Sequence, residues 1–262
     1  HSYRSDSLNR RNLGGHTMNS LSVLALLPLL GAVIVSAIPT ANSRLVKQAT
    51  LGITVLTAAY ALYMATQFVT TSTEQQFVEK FNWIPAFGIE YSVGVDGISL
   101  LLIVMSVVLV PIVVLACWNE SEGGRWSSKV FYILILVLET MMIGVFAAND
   151  IFLFYVIFEA MLIPVYFLIG GYGSGERSAA AVKFLIYSLF GGLLMLASII
   201  ALYITGRQFG LNTFDVATLS ELHPMMSSTA QNLMFLGFFI AFAIKAPLWP
   251  MHTWLPDAAE SS

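Results

Sequence analysis

Two charged side chains stand inside otherwise apolar stretches of this chain. Glu159 lies in FLFYVIFEAMLIPVYFLIGGYG, residues 152–173, and Lys245 lies in FFIAFAIKAPLWPMHTWLP, residues 238–256. Glu159 is nine positions into the run that starts at Ile151, about 13 Å along a helix. Lys245 is about as deep if its helix starts near Asn232. A charge at the middle of a bilayer costs about 2.5–3.5 kcal/mol on insertion scales. Opposite charges at matching depth on different helices offset that cost and shift each other's proton affinity. The chemistry such a pair can do is proton transfer; the competing reading is an inert ion pair that fixes helix packing.

Prolines stand beside both charges. Pro247 and Pro250 cannot donate to the carbonyls of Ala243 and Ala246, so the helix breaks just beyond Lys245, and Pro164 removes the partner of the Ala160 carbonyl. Backbone left unpaired at membrane depth survives where it is buried in protein or lines a wet cavity, and a broken helix beside an ionisable group is a recurring ion-site arrangement. Glu139, Lys183 and His252 are further candidates. Glu139 lies deep in its helix, where it either extends a relay or is a partnered structural carboxylate. His252 can pass protons near neutral pH or act as a hydrogen-bonded spacer, and Lys183 opens a helix from which it can snorkel to the interface. Asp96 and Asp150 read as helix caps. The string GGYGSG, 170–175, resembles a phosphate loop but follows an apolar helix rather than a strand, so it reads as a turn.

The elements that must position these residues are legible in composition. Of 262 residues, 57% are hydrophobic and only 10% charged, far from the quarter charged that a water-soluble surface carries; mean hydropathy is +0.79. Residues 21–43, 48–73, 97–119 and 184–206 contain no Asp, Glu, Lys or Arg. Three further runs carry one charge each: 130–149 (Glu139), 151–175 (Glu159) and 225–256 (Lys245). Each reaches the roughly 20 residues that cross a bilayer. The reading is an all-α polytopic membrane protein of about seven transmembrane helices, the seventh broken by prolines. A net charge of −3 argues against nucleic acid as a partner. One cysteine, Cys117, cannot by itself build a thiolate metal or iron–sulfur site, so no cofactor or metal site is expected in this chain.

Arg44 and Lys47, Arg125 and Lys129, and Arg177 and Lys183 fall after the first, third and fifth runs. By the positive-inside rule the first helix starts outside. Residues 74–96 form an outer loop, in which FGIEYSVGV, 87–95, alternates like a strand of a small hairpin. Residues 1–17, before Met18, are expected to be a non-native or disordered tail.

The strings SVGVDGISLLL (92–102), FLFYVIFEAMLIPVYFLIGGYG (152–173), ERSAAAVKFLIYSLFG (176–191) and FFIAFAIKAPLWPMHTWLPDA (238–258) resemble the antiporter-like membrane subunits of respiratory NADH:quinone oxidoreductase, and among them the bacterial chain M type. The resemblance implies the first half of an antiporter-like inverted-repeat fold. Residues 18–128 would supply three N-terminal helices and 129–258 the start of the translocating module. It implies a proton-translocating subunit of the bacterial inner membrane, set among neighbouring antiporter-like subunits. NADH, FMN, iron–sulfur clusters and quinone would be held by partner subunits. In the family the glutamate pattern falls on Glu159 and the lysine before the proline pair on Lys245; Lys183 lines the polar axis, and His252 is carried over with them.

Family members continue L-P-D-A-H into further helices, whereas here LPDA is followed by AESS, with Ala259 in the place of the histidine. Residues 259–262 are therefore expected to be an aberrant end and the chain a fragment. Two other readings stand beside this one: the D subunit of a multi-subunit sodium/proton antiporter, and a non-pumping membrane scaffold.

Overall fold

The computed structural model describes residues 20–119, 124–173 and 177–260; the expected tail at 1–17 lies outside them, as do residues 261–262. Ten α-helices and one hairpin follow in chain order among the described residues. They are α1 (Leu21–Ala37), α2 (Ser43–Gln67), β1 (Gln76–Ile84), β2 (Ile89–Val95), α3 (Gly97–Ala116), α4 (Ser128–Ala147), α5 (Ile151–Ala160), α6 (Leu162–Tyr172), α7 (Arg177–Gln208), α8 (Val216–Ser220), α9 (Ser228–Lys245) and α10 (Trp254–Glu260). Counting α5 and α6 as one, six spans among the described residues are long and apolar enough to cross a membrane, and α1 is a shorter apolar helix of 17 residues. Ile98, Leu101 and Leu193 are 73%, 67% and 63% exposed, an outward apolar surface that suits lipid or further protein rather than water. The molecule is a multi-pass membrane protein.

The first apolar run does not stay helical to residue 43. Ile38 is extended (φ −73°, ψ 134°), as the residue before Pro39 must be to avoid its ring. The chain re-enters a helix at Ser43, so Arg44 and Lys47 belong to the first turns of α2 and not to a loop. Lys47 is 4% exposed, with its ammonium 5.8 Å from the centre of the Trp118 ring. Lys129 donates to the carbonyls of Ser36 (2.7 Å) and Ile38 (2.9 Å), placing a cation at the negative end of α1.

The hairpin forms as the alternation predicts. β1 and β2 pair antiparallel around a short turn, where Gly88 takes a φ of 67° and a β-carbon would strike the Asn212 carbonyl. Lys80 and Glu90 pair across it at 2.8 Å, and that bond raises the Lys80 pKa. The hairpin ties helix starts together. Glu79 accepts from Ser20 Oγ (2.7 Å) and Ser22 N (3.0 Å) at the start of α1. Asp150 caps α5 through Phe152 N and Leu153 N and also accepts Glu90 N. Asp96 caps α3 in a reciprocal box with Ser99.

Two apolar clusters fill the space among α1, α2, α3 and α4. Others link α5 to α7 and α9, and α6 to α7 and α10. The crossing of α7 and α9 uses small residues, as membrane helices do. Gly191 of α7 lies against the Ala241 backbone of α9, with a β-carbon there falling 3.2 Å from Ala241 Cα, and Gly237 of α9 leaves room for Ser198 of α7.

Candidate functional site

Glu159 is the penultimate residue of α5, and its carboxylate lies on α7: a β-carbon at Gly192 would overlap both oxygens and Cδ. Its Oε1 is buried without a hydrogen-bond partner among the described residues. Lys245 ends α9, with its ammonium 4.5 Å from the centre of the Phe158 ring. The two charges feel one another electrostatically, yet no salt bridge joins them among the described residues. The pair is therefore set at matching level without being locked together. The level comes from the contact with Phe158 and not from helix length, because α9 starts at Ser228, four residues before the expected Asn232.

Aromatic rings bind the two helices on the hairpin side of the charges. Phe154 and Phe158 stack at 5.4 Å on α5, and Phe242 of α9 meets them at 6.2 Å and 5.9 Å. Four-residue spacing puts Phe154 and Phe158 on one face of α5.

Beyond Lys245 the helix breaks as the prolines require. The Ala243 carbonyl, which Pro247 cannot reach, accepts from Leu248 N at 2.8 Å. The Ile244 carbonyl accepts the indole N–H of Trp254 at 2.8 Å. Backbone that a proline leaves unpaired is thus satisfied inside the protein. Trp254 also packs on Phe184 at 5.0 Å, and Thr253 donates to the Tyr187 hydroxyl at 3.0 Å. These contacts dock the broken segment onto α7 and place His252 there, its Nδ1 buried without a partner among the described residues. Pro164 acts more mildly: α5 and α6 are separated by one residue, Met161, and continue as a single span.

Two candidates stand elsewhere. Glu139 is fully buried, with neither oxygen partnered among the described residues. It shares the face of Tyr132, Leu136 and Ile143, which packs into α1–α3. Gly144, which touches Ile157 of α5, is about 140° round the helix at 100° per residue. Glu139 therefore points away from Glu159. Lys183 lies well inside α7 rather than at its start, in a shallow groove with Ser178, Ile186 and Tyr187. Nine residues from Gly192, it is about half a turn round from the Glu159 face. In GGYGSG, the described glycines close α6 and Gly171 leaves room for Trp126; residues 174–175 lie outside the described part. Among the described residues no three His, Cys, Asp or Glu are grouped to hold a metal.

Phe158, Gly191, Gly192 and Ser188 escaped the reading from sequence. The one available signal was the Gly-Gly pair in the middle of a membrane helix, since adjacent small residues there mark a close crossing.

Comparison with known proteins gives this constellation its setting. Residues 148–262 match the family model described as NADH:quinone oxidoreductase/Mrp antiporter, TM, and residues 26–145 match NADH-ubiquinone oxidoreductase chain 4, amino terminus. NADH-quinone oxidoreductase subunit M of Mycobacterium tuberculosis is 45% identical over 273 residues, covering 92% of this chain and 49% of that protein. The chain belongs to the antiporter-like membrane subunits of NADH:quinone oxidoreductase. NADH-ubiquinone oxidoreductase chain 4 of Arabidopsis thaliana is 38% identical over 240 residues, covering 91% of this antiporter-like chain and 46% of the relative. Respiratory complex I from Thermus thermophilus with bound NADH contains a chain that superposes with a TM-score of 0.77 at 29% identity, covering 92% of this chain and 47% of that one. A chain of the Mrp complex from Dietzia shares the fold, with a TM-score of 0.76 at 20% identity over 92% of this chain and 25% of that one. The antiporter-like chain spans about half the length of the curated relatives it matches.

Proposed function

We propose that this chain is part of a proton-translocating membrane subunit of NADH:quinone oxidoreductase, in which Glu159 and Lys245 form the charge pair that passes the proton. The observation that carries this reading is the pair's geometry. A carboxylate with an unpartnered oxygen lies on a glycine of α7, and an ammonium stands at the same level over a phenylalanine, coupled to it but not bridged. An inert structural pair in a low-dielectric site would be expected to close into a hydrogen-bonded bridge, whereas a pair held short of contact can be biased by a third charge. His252 stands beyond the helix break as the next titratable group, while Lys183 and Glu139 serve the path from other faces.

In this reading residues 129–258 begin the translocating module and 18–128 brace it. Neighbouring antiporter-like subunits flank it, and NADH, FMN, iron–sulfur clusters and quinone belong to partner subunits. The membrane is the bacterial plasma membrane, with the first helix starting outside; Arg44, Arg125 and Lys129, all near the opposite end from the hairpin, support that direction.

The test is proton pumping by membrane vesicles containing the full-length protein with Glu159→Gln. Pumping falls by about 10²-fold or more, in the range of losses for a proton-transfer group, with the subunit still assembled; undiminished pumping would refute the role. The sodium/proton antiporter reading shares the fold, but the identity of 45% to an oxidoreductase subunit against 20% to the Mrp chain favours the first. Recovery of the protein with flavin- and iron–sulfur-bearing partners separates the two.

A further inference from the structure

One face of α7 carries a feature that the charge pair alone does not explain. Gly192 stands where any β-carbon would collide with the whole Glu159 carboxylate. Four residues earlier, and so on the same face, Ser188 is 5% exposed with its hydroxyl unpartnered among the described residues. Two other aliphatic hydroxyls of α7 are satisfied by their own helix: Ser198 donates to the Leu194 carbonyl at 3.1 Å and Thr205 to that of Ala201 at 2.8 Å. Ser188 does not make this local bond. Leaving a buried hydroxyl without a partner is costly, so a group that forgoes the bond its helix offers needs another partner. β-carbons four residues apart on a helix are about 5–6 Å from one another. That puts the Ser188 hydroxyl within one-water reach of a carboxylate seated on Gly192, whose Oε1 likewise lacks a partner.

We propose that Ser188 and Gly192 together form the seat of Glu159: Gly192 admits the carboxylate against α7, and Ser188 supplies a hydrogen-bond donor to it. Both are positioning residues and neither carries the transferred proton's charge. The seat also faces the broken segment, because its neighbours Phe184 and Tyr187 contact Trp254 and Thr253, the residues next to His252. The inference rests on the proposed role of Glu159 and goes beyond it in saying what holds that carboxylate.

The experiment uses the full-length protein in its membrane complex, with proton pumping compared at equal assembled amount. Ser188→Ala is expected to lower pumping by about three- to tenfold, the worth of one hydrogen bond, and Ser188→Thr, which keeps the hydroxyl, to restore it. Ser188→Ala should also shift the infrared carboxyl stretch that disappears in Glu159→Gln, a change that a purely structural serine would not produce. Gly192→Ala is expected to lower pumping at least about tenfold by displacing the carboxylate. Gly192→Ala/Glu159→Asp, which retracts the carboxyl by one methylene, should pump better than Gly192→Ala. Wild-type pumping and an unshifted band in Ser188→Ala overturn the seat, even where Gly192→Ala fails to assemble. If Glu159→Gln abolishes pumping in the same series, the charge-pair reading survives that failure; if Glu159→Gln pumps normally, both fall.

Discussion

At the scale of single residues, the ammonium of Lys245 is held by an aromatic face rather than by a carboxylate. A cation over a desolvated phenyl ring gains about 2 kcal/mol, with no directional bond to break when the charge moves. Phe158→Leu should therefore weaken the hold on Lys245 while keeping the apolar volume, and lower pumping by about three- to tenfold. Phe158→Tyr should retain it, and a Phe158→Leu variant that pumps at the wild-type rate would remove the ring from the account. Glu159 and Lys245 were legible in the sequence because a charge inside an apolar run is costly and therefore rare. Phe158, Ser188 and Gly192 were not, because a phenylalanine, a serine or a glycine in such a run costs little. Their roles exist only in the contact between α5, α7 and α9.

At the scale of elements, the runs of apolar residues located the helices, while local chemistry set their ends. Pro39 stopped α1 six residues before the first charge-free run ends, and the charged start of α2 entered the helix because Lys47 finds Trp118. Neither follows from hydropathy. Capping was legible, as Asp96 and Asp150 both occupy N-cap positions. Hydrogen bonds from Ser99 hold the Asp96 carboxyl below its ordinary value. Its contribution is therefore present above the unfolded value of about 3.9 and lost as pH falls through the lower folded value. Asp96→Ala should destabilise the start of α3 by about 1 kcal/mol, read as a lower melting temperature of the detergent-solubilised protein near neutral pH. The difference should shrink as the pH falls through the titration of Asp96, and an equal difference at all pH values would contradict the cap.

At the scale of the whole molecule, the hairpin gathers the starts of α1, α3 and α5 at one end, and the basic residues Arg44, Arg125 and Lys129 lie near the other. The proposed orientation places the hairpin outside. With Cys117 replaced by Ser, a cysteine at Thr73 should react with a membrane-impermeant maleimide on intact cells, and a cysteine at the exposed Thr40 only after the membrane is opened. The reverse pattern would invert the topology. The multi-pass helical class and the family were legible from composition and from four strings, while the first of the seven expected crossings forms a shorter apolar helix. The face of α7 that carries Lys183 was not, because a helix of 32 residues presents every side and only its neighbours select one.

The central claim is that Glu159 and Lys245 act as one unit. The measurement that tests it most directly is a double-mutant cycle on proton pumping in the full-length protein, with Glu159→Gln, Lys245→Met and the two combined. Residues that act as a unit are strongly non-additive. The account predicts that the double variant pumps no worse than the poorer single variant; losses that multiply would show two independent groups and contradict it.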